Sequence, residues 1–392
     1  MWRIELAVLA LVASAPLEFV LDVGSGSLTV TKVAGAVCFG AFALNAIVTR
    51  RRLVFDIAHG LVFLLLAIAA VSTLQAEDLS AAIVVTTRYA SFVALFFVVS
   101  QFVGDWKLQR RIAWTLSLGS CITGIVASSN FLAGTTISAN VGSGGGGGPG
   151  DIAFILATTL PFTLWLLSER GVRRFAALAM TVVISISILL TFNRGALVGL
   201  AAGLIWYTVF ERRNGRALLV GGVVIGLALF LVFRLNEQTI HTGLQAKQRV
   251  ATTNVETRLE AWKAASKLAV TNPVLGVGPG NFQNRYLRAT GHPPGTKTLR
   301  VVHDAYLDVA AELGLVAVGL FVAYLVLGFA RLTAAVRDRL GPPGFASAAR
   351  VSLVIAVFAA VTLSEQYFAP FWLLGGLAAA LIHERDPVSD GA

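Results

Sequence analysis

The sequence predicts an all-α fold: a polytopic membrane helix bundle of about 12 transmembrane helices with one long extracytoplasmic loop containing amphipathic helix. Three observations carry this expectation. Of the 392 residues, 56% are hydrophobic and 13% charged, whereas a soluble domain is nearer half apolar and a quarter charged. Mean hydropathy is +0.77, and apolar runs long enough to cross a bilayer recur throughout the chain. The connections between those runs alternate in charge.

Taken in order, the spans fall at roughly 3–21, 28–48, 54–74, 81–103, 112–133, 151–168, 175–192, 195–210, 217–233, 304–330, 350–364 and 367–383. Met1–Val20 has no clear basic n-region or small-residue cleavage site, so it reads as a first span rather than a removed signal peptide. The break at Ser364–Glu365–Gln366 is short, which leaves 350–383 open as one span or two. One set of connections reads "TRRRL", "GDWKLQRR", "SERGVRR", "ERRNGR" and "RLTAAVRDRLGPPG". The other reads "DVGSGS", "QAEDLS", "SANVGSGGGGGPG" and "TLSEQ", without Lys or Arg. Basic connections stay on the cytoplasmic side, so both termini are expected there. This accounts for most of the net charge of +10 without nucleic acid as a partner. Cys38 and Cys121 lie in apolar runs and suggest neither a disulfide framework nor a metal site. The chain divides into an N-terminal transmembrane bundle (1–233), a long outer loop (234–302) and C-terminal spans with a short cytoplasmic tail (303–392).

The long loop breaks the charge pattern. It holds Lys247, Arg249, Arg258, Lys263, Lys267, Arg285, Arg288, Lys297 and Arg300. Long loops are largely exempt from the orientation rule, so these charges either coat a small domain or form an anion site. Thr253 and Glu256 fit a capping box, which starts a helix at about Asn254 and carries it to Val270. Val255, Leu259, Trp262, Ser266 and Ala269 would share its face against the bundle or the interface. Asn272–Pro273 stops that helix, and "GVGPGNF" is a tight turn. The glycine run before the sixth span lacks the Gly-Lys-Ser/Thr signature of a nucleotide loop and reads as flexible.

Ionisable residues at membrane depth are costly and often functional. Arg194, between the seventh and eighth spans, lies among short outer connections that otherwise avoid cations. Read alone it is an interfacial anchor; the avoidance around it favours function. Arg88 is expected to pair with Glu18 or Glu365, as structure or as support for a site, and Lys32 is similar. Asp56 and His59, at the inner end of the third span, read as topological. His303 opens the tenth span on the outer side. The positive field of a helix start disfavours imidazolium, so this histidine is a candidate neutral base. Asp304, Tyr306 and Asp308 either orient it or cap the helix.

"GDIAFILATTLPF", "FNRGALVGL", "RLEAWKAASKLAVTNPVLGVGPGNF" and "HDAYLDVAAELGLVAVGLF" follow one another within roughly residues 140–385, and together they resemble, in the same order, the motifs of the O-antigen ligase/polymerase superfamily of integral-membrane glycan transferases. The resemblance implies a bundle of about twelve spans with a long periplasmic loop before the His-bearing helix. It implies an inverting, metal-independent glycosyltransferase without a cofactor, in the bacterial inner (plasma) membrane, with an extracytoplasmic active site. The donor would be an undecaprenyl-diphosphate-linked glycan, and the acceptor a glycan or lipid A core. Polymerases and protein O-oligosaccharyltransferases share the motifs. The family's two arginines and histidine map onto Arg194, Arg258 and His303. Asp304 stands where the family usually has Asn, and Asn193 where it has Ser.

On that resemblance Arg194 and Arg258 hold the diphosphate as bidentate donors, and His303 takes the acceptor proton. Arg88, Arg285, Arg288, Arg300, Tyr306 and Asp304 are the further candidates for substrate binding. No DxD-like carboxylate pair lies in an outer loop, so no metal is expected. A flippase for lipid-linked sugar is the competing class, but no inverted internal repeat is apparent. A non-enzymatic sensor or scaffold would leave the Arg/Arg/His set without a purpose.

Overall fold

A computed structural model of the chain describes residues 2–18, 20–21, 30–50, 53–141, 148–211, 226, 230–291, 301–364, 366 and 368–383. Among the described residues every regular element is helical. The first half comprises α1 (Trp2–Leu17), α2 (Val30–Thr49), α3 (Ile57–Thr73), α4 (Leu79–Phe102), α5 (Trp106–Leu132), α6 (Pro149–Leu166), α7 (Val172–Leu190) and α8 (Arg194–Trp206). A π-helical turn, Tyr207–Glu211, extends α8. The remainder comprises α9 (Glu237–Thr271), α10 (Phe282–Ala289), α11 (Ala305–Leu313), α12 (Leu315–Arg337), α13 (Phe345–Ala359) and α14 (Ala369–His383).

Six of the described helices are long and apolar enough to cross a membrane: α2, α4, α5, α6, α7 and α12. Shorter apolar helices occupy Ile4–Leu17, Ile57–Thr73, Phe345–Ala359 and Ala369–His383. The expected span at 217–233 and the connection "ERRNGR" fall largely outside the described residues, as do Glu365, Arg300, Lys297 and most of the glycine run.

Three expectations need correction. The single span at 304–330 is two helices. Gly314 breaks it at φ 92°, a left-handed conformation that L side chains avoid. A Cβ there would also lie 2.7 Å from the Pro273 carbonyl oxygen. The region 350–383, left open as one span or two, is two helices, α13 and α14, as the span count had it. The amphipathic helix does not start at Asn254; α9 runs without a break from Glu237, and Thr253 and Glu256 are interior. A Thr-x-x-Glu spacing marks a start only where the residues before it cannot continue a helix, and "EQTIHTGLQAKQR" can. Its packed face differs in part from the expected one. Ala269 is buried and Trp262 packs on the cluster, but Leu259 and Ser266 are exposed, while Ala261, Ala264, Ala265 and Leu268 are buried with Val277, Phe282 and Tyr286. Small residues let α9 lie close to the turn that follows it.

The helix ends sort into two groups. At one end the α3–α4 connection meets the loop before α10: Asn281 Oδ1 accepts from the Asp78 amide at 2.7 Å, and its Nδ2 donates to the Asp78 carbonyl at 3.1 Å. The Ala139 amide donates to Leu190 at the end of α7, and the Ala305 amide to Ala360 after α13. At the opposite end Gln101, in the last turn of α4, bonds both backbone groups of Val54. Arg331 of α12 and His383 of α14 meet Asp56 there, ahead of α3. The described parts of the connections expected to be basic lie at this second end, with Lys107, Arg110, Arg173 and Arg337 among them.

Candidate functional site

The C-terminal end of α13 is the platform on which two of the predicted residues are mounted. Gly195, Gly199 and Gly203 recur every four residues along α8 and so form one face. A Cβ at Gly195 would meet Thr362 Oγ1 at 2.1 Å, one at Gly199 the Ile355 carbonyl oxygen at 2.7 Å, and one at Gly203 Ile355 Cγ1 at 2.5 Å. This small-residue seam packs α8 directly on α13, as close helix pairs in membranes require. It also settles the position of Arg194, the first residue of α8, beside the end of α13. Asn193 caps the helix, its Oδ1 accepting from the Ala196 amide at 2.9 Å. The place where the family shows Ser is thus filled by another good N-cap.

His303 is brought to the same platform by the start of α11. The Ala305 amide donates to Ala360 at 2.9 Å, and the Tyr306 hydroxyl to the Val357 carbonyl at 3.0 Å. Asp304 caps α11 through bonds of 2.9 Å from the Tyr306 and Leu307 amides. His303 itself is held at φ 54°, a left-handed backbone rare for a side chain of this size. Such strain costs on the order of 1 kcal/mol and persists only where the surroundings over-determine it.

Arg258 arrives from α9 by a third route. Trp262 Nε1, one turn along from Arg258, donates to the Val302 carbonyl at 2.9 Å. The Arg-x-x-x-Trp spacing therefore puts a clamp on the residue before His303 and a guanidinium on the same helix face. The end of α9 is anchored by reciprocal packing of two glycine-bearing segments. Leu315 donates to Pro273, and the amides of Val277 and Gly278 donate to the carbonyls of Ala311 and Glu312. The Glu312 carboxylate accepts from the Gly280 amide at 2.8 Å and from Phe282 at 3.3 Å. Gly276 lies so close to the Glu312 carbonyl carbon that a Cβ would be 2.2 Å away. "PVLGVGPGNF" and "AELG" are therefore complementary halves of one joint. Burial, and next the nearby Asp308, push the Glu312 carboxyl well above its ordinary range. Two backbone donors oppose them, and we read Glu312 as part of that joint.

The electrostatics join the three residues. Burial, and secondly the charge of Arg194, lower the pKa of Arg258. Burial, and secondly the charge of Arg258, push His303 down to about 4. The cause expected from sequence was the field of a helix start; burial and a neighbouring guanidinium do the work instead. Among the described residues no ion pair engages Arg194, Arg258 or His303. Two adjacent cations beside a neutral imidazole can accept a dianionic group and a proton.

The other predicted residues are placed differently. Arg88 pairs with Glu18 at 3.3 Å and lies over the Phe368 ring at 5.2 Å. Arg285 and Arg288 share Glu77 at 3.2 and 2.6 Å. Tyr306 spends its hydroxyl on Val357, and Asp304 its Oδ1 on the helix cap. Arg300 lies outside the described residues. Among the described residues no group of His, Cys, Asp and Glu is arranged to hold a metal ion. Sequence reasoning passed over the small-residue face of α8, although the Gly-x-x-x-Gly spacing signals it, and it placed Trp262 on a packing face without its bond to Val302.

Residues 179–322 match the family described as O-antigen ligase. That stretch runs from α7 into α12 and contains Arg194, Arg258 and His303. It is narrower than the resemblance over roughly 140–385 and leaves out "GDIAFILATTLPF". No curated protein matches the chain.

Proposed function

From the O-antigen ligase family domain that the chain carries over residues 179–322, we propose that it is a membrane glycosyltransferase. It moves a glycan from an undecaprenyl-diphosphate carrier to an acceptor hydroxyl at the extracytoplasmic face. The observation that carries this reading is the convergence of α8, α9 and α11 on the end of α13, through the glycine seam, the Trp262–Val302 bond and the Ala305–Ala360 bond, which draws Arg194, Arg258 and His303 together from distant parts of the sequence. In the bundle of about twelve spans, both termini are cytoplasmic and this cluster faces outward.

The acceptor oxygen attacks the anomeric carbon while the bond from that carbon to the phosphate oxygen breaks. The bonding pair leaves with the lipid diphosphate, whose growing charge Arg194 and Arg258 neutralise. Each such donor is commonly worth about 3–4 kcal/mol. His303 takes the acceptor proton on its unprotonated ring nitrogen, and its low pKa keeps that nitrogen available at neutral pH. One-step displacement from the opposite face inverts the anomeric centre and calls on no metal. Arg285 and Arg288 add a basic field near the entrance, tempered by Glu77. Arg88 supports the helix ends. The acceptor is either a lipid A core or a growing glycan; a protein hydroxyl is the third case within the same chemistry.

Proteoliposomes holding the purified chain, the lipid-linked glycan and an acceptor test the reading. Transfer with release of lipid diphosphate is the expected result. Glycolipid that only changes leaflet, with its diphosphate bond intact, would make the chain a flippase.

A further inference from the structure

At the opposite end of the bundle, the first turns of α5 and α7 frame two adjoining cavities. One, of about 650 Å³, is lined by Arg110, Arg170, Arg173, Ser168 and Glu169. The other, of about 580 Å³, shares Arg110 and Arg173 but is floored by Leu9 of α1 and walled by Trp106, Trp114 and Ala176. The first is a polar compartment and the second an apolar trough with cations at its mouth. We propose that this cleft binds one anionic phospholipid, with the phosphodiester headgroup in the polar compartment and the acyl chains along the trough.

Basic residues at this end have a simpler explanation, since orientation in the membrane needs cations there. That explanation requires charge but no cavity, and no particular placement. Here the placement is specific. Glu169 pairs with Arg110 and Glu5 with Arg111, which holds those guanidinia at the wall. Among the described residues no ion pair involves Lys107, Arg170 or Arg173. The N-terminus of α7, which has no side-chain cap, adds its dipole to the positive field, whereas that of α5 is capped by Asp105, whose Oδ1 accepts from the Lys107 amide at 3.0 Å. Apolar side chains surround these charges at the same level: Val172 is 84% exposed, Phe175 71% and Trp106 49%. Large apolar groups mixed with Lys, Arg and Trp mark the headgroup boundary of a bilayer.

The occupant follows from the two compartments taken together. A soluble phosphate or nucleotide would fill the polar cavity and leave the trough against Leu9 and Trp114 unused. A zwitterionic headgroup would set its ammonium against Arg170 and Arg173. A phospholipid with a net negative headgroup satisfies both, and basic pockets between membrane helices on the cytoplasmic side bind such headgroups. α5 and α7 are themselves long and apolar enough to span, so the trough continues along surface already in contact with lipid tails.

Native mass spectrometry of the full chain in neutral detergent reads this directly, with phosphatidylglycerol, phosphatidylcholine and glycerophosphate as the probes. Phosphatidylglycerol should be retained at least about fivefold better than phosphatidylcholine, with glycerophosphate barely held. Lys107→Gln together with Arg173→Gln should lower that retention by about fivefold per cation removed. The melting temperature of the delipidated protein should not change. Arg174→Gln, which removes a neighbouring charge that lines neither cavity, should leave it intact. Ala176→Trp keeps every cation and fills the trough, and should abolish the preference. Three results each overturn the proposal: equal retention of the two lipids by the unaltered chain, equal losses from Arg174→Gln, or full retention in Ala176→Trp. Glycerophosphate binding as tight as the lipid would replace it with a soluble-phosphate site.

Discussion

Each end of the bundle gathers two kinds of basic side chain, and the two gatherings differ in one respect. At one end Arg194, Arg258 and His303 stand together, and among the described residues no ion pair engages them; Asp304, next to His303, spends its Oδ1 on the helix cap. At the other, Arg331, His59 and His383 converge on Asp56. Its Oδ1 accepts from His59 Nδ1 at 2.9 Å, and its Oδ2 from Arg331 at 2.8 Å and His383 Nε2 at 3.0 Å. Burial works to raise the Asp56 pKa, but hydrogen bonds from His383 and His59 and the charge of Arg331 overcome it and hold it well below the usual carboxylate range. The His59 and His383 rings stack at 6.1 Å. This second cluster is self-neutralised and ties the start of α3 to the ends of α12 and α14. In the first cluster Arg258 and His303 are half-buried and Arg194 is exposed, so it is the Arg258 charge whose burial costs stability unless an anion arrives. Neutralisation within the chain marks a fastener; its absence marks a site that a ligand completes.

The largest effect that would break this comparison concerns His303. His303→Ala should lower transfer by about 10²–10⁴-fold, the usual worth of a general base. Binding of the lipid-linked donor should persist, because both arginines remain. Near-normal turnover would reduce His303 to a residue that leads into a helix cap. Next come Arg258→Lys and Arg194→Lys, which keep charge but lose the fork. Each should cost about 10²–10³-fold in turnover, while the protein still inserts and purifies. Unaltered rates would make the arginines anchors.

The opposite end should answer in stability rather than rate. Asp56→Asn leaves Arg331 without its counter-ion and should cost about 2–3 kcal/mol. Thermal melting in detergent would show the loss, and activity per folded molecule should be unchanged. A rate defect without a melting shift would erase the distinction between the two clusters. Smaller still is Trp262→Phe, which keeps an aromatic ring but deletes the bond to Val302. One such hydrogen bond is worth about 1 kcal/mol, so turnover should fall about fivefold as His303 loosens relative to Arg258. The smallest expected change is in pH. The His303 pKa is lowered to about 4, so its base form survives as pH falls, and transfer should be flat from pH 7 to about pH 5.5. Activity should drop only as pH passes down through about 4. A midpoint near 6.5 would place the imidazole in water, away from Arg258.

Much of this was readable along the chain because the signals are local. Apolar runs, capping residues and the alternation of charged connections each depend on a few consecutive residues, and most helices occur where those signals put them. Short motifs also singled out Arg194, Arg258 and His303, which the fold draws toward the end of α13. What misled was equally local. Thr253 and Glu256 resemble a helix start, yet α9 passes straight through them. The apolar run from Asp304 to Ala330 resembles one span, yet Gly314 divides it, because that glycine must take a left-handed turn against Pro273. Asp56 and His59 looked like boundary charges, although His59 is buried against Ser100 and Gln101.

By itself the sequence determined an all-helical chain with helices apolar enough for a membrane, and it singled out three residues on which to stake the chemistry. Hydrophobicity and charge are properties of each residue, so their pattern needs no partner to be read. Only the tertiary structure decided which of the chain's cations are spent and which are held in reserve. The sequence offered Glu18 as a partner for Arg88 but gave none for Arg285 and Arg288, which differ from Arg194 and Arg258 because Glu77 folds against them. The packing of α8, α9 and α11 around the end of α13 brings like charges together, and among the described residues no ion pair engages them. Electrostatic energy depends on distances between groups far apart in sequence, and those distances exist only once the helices have packed.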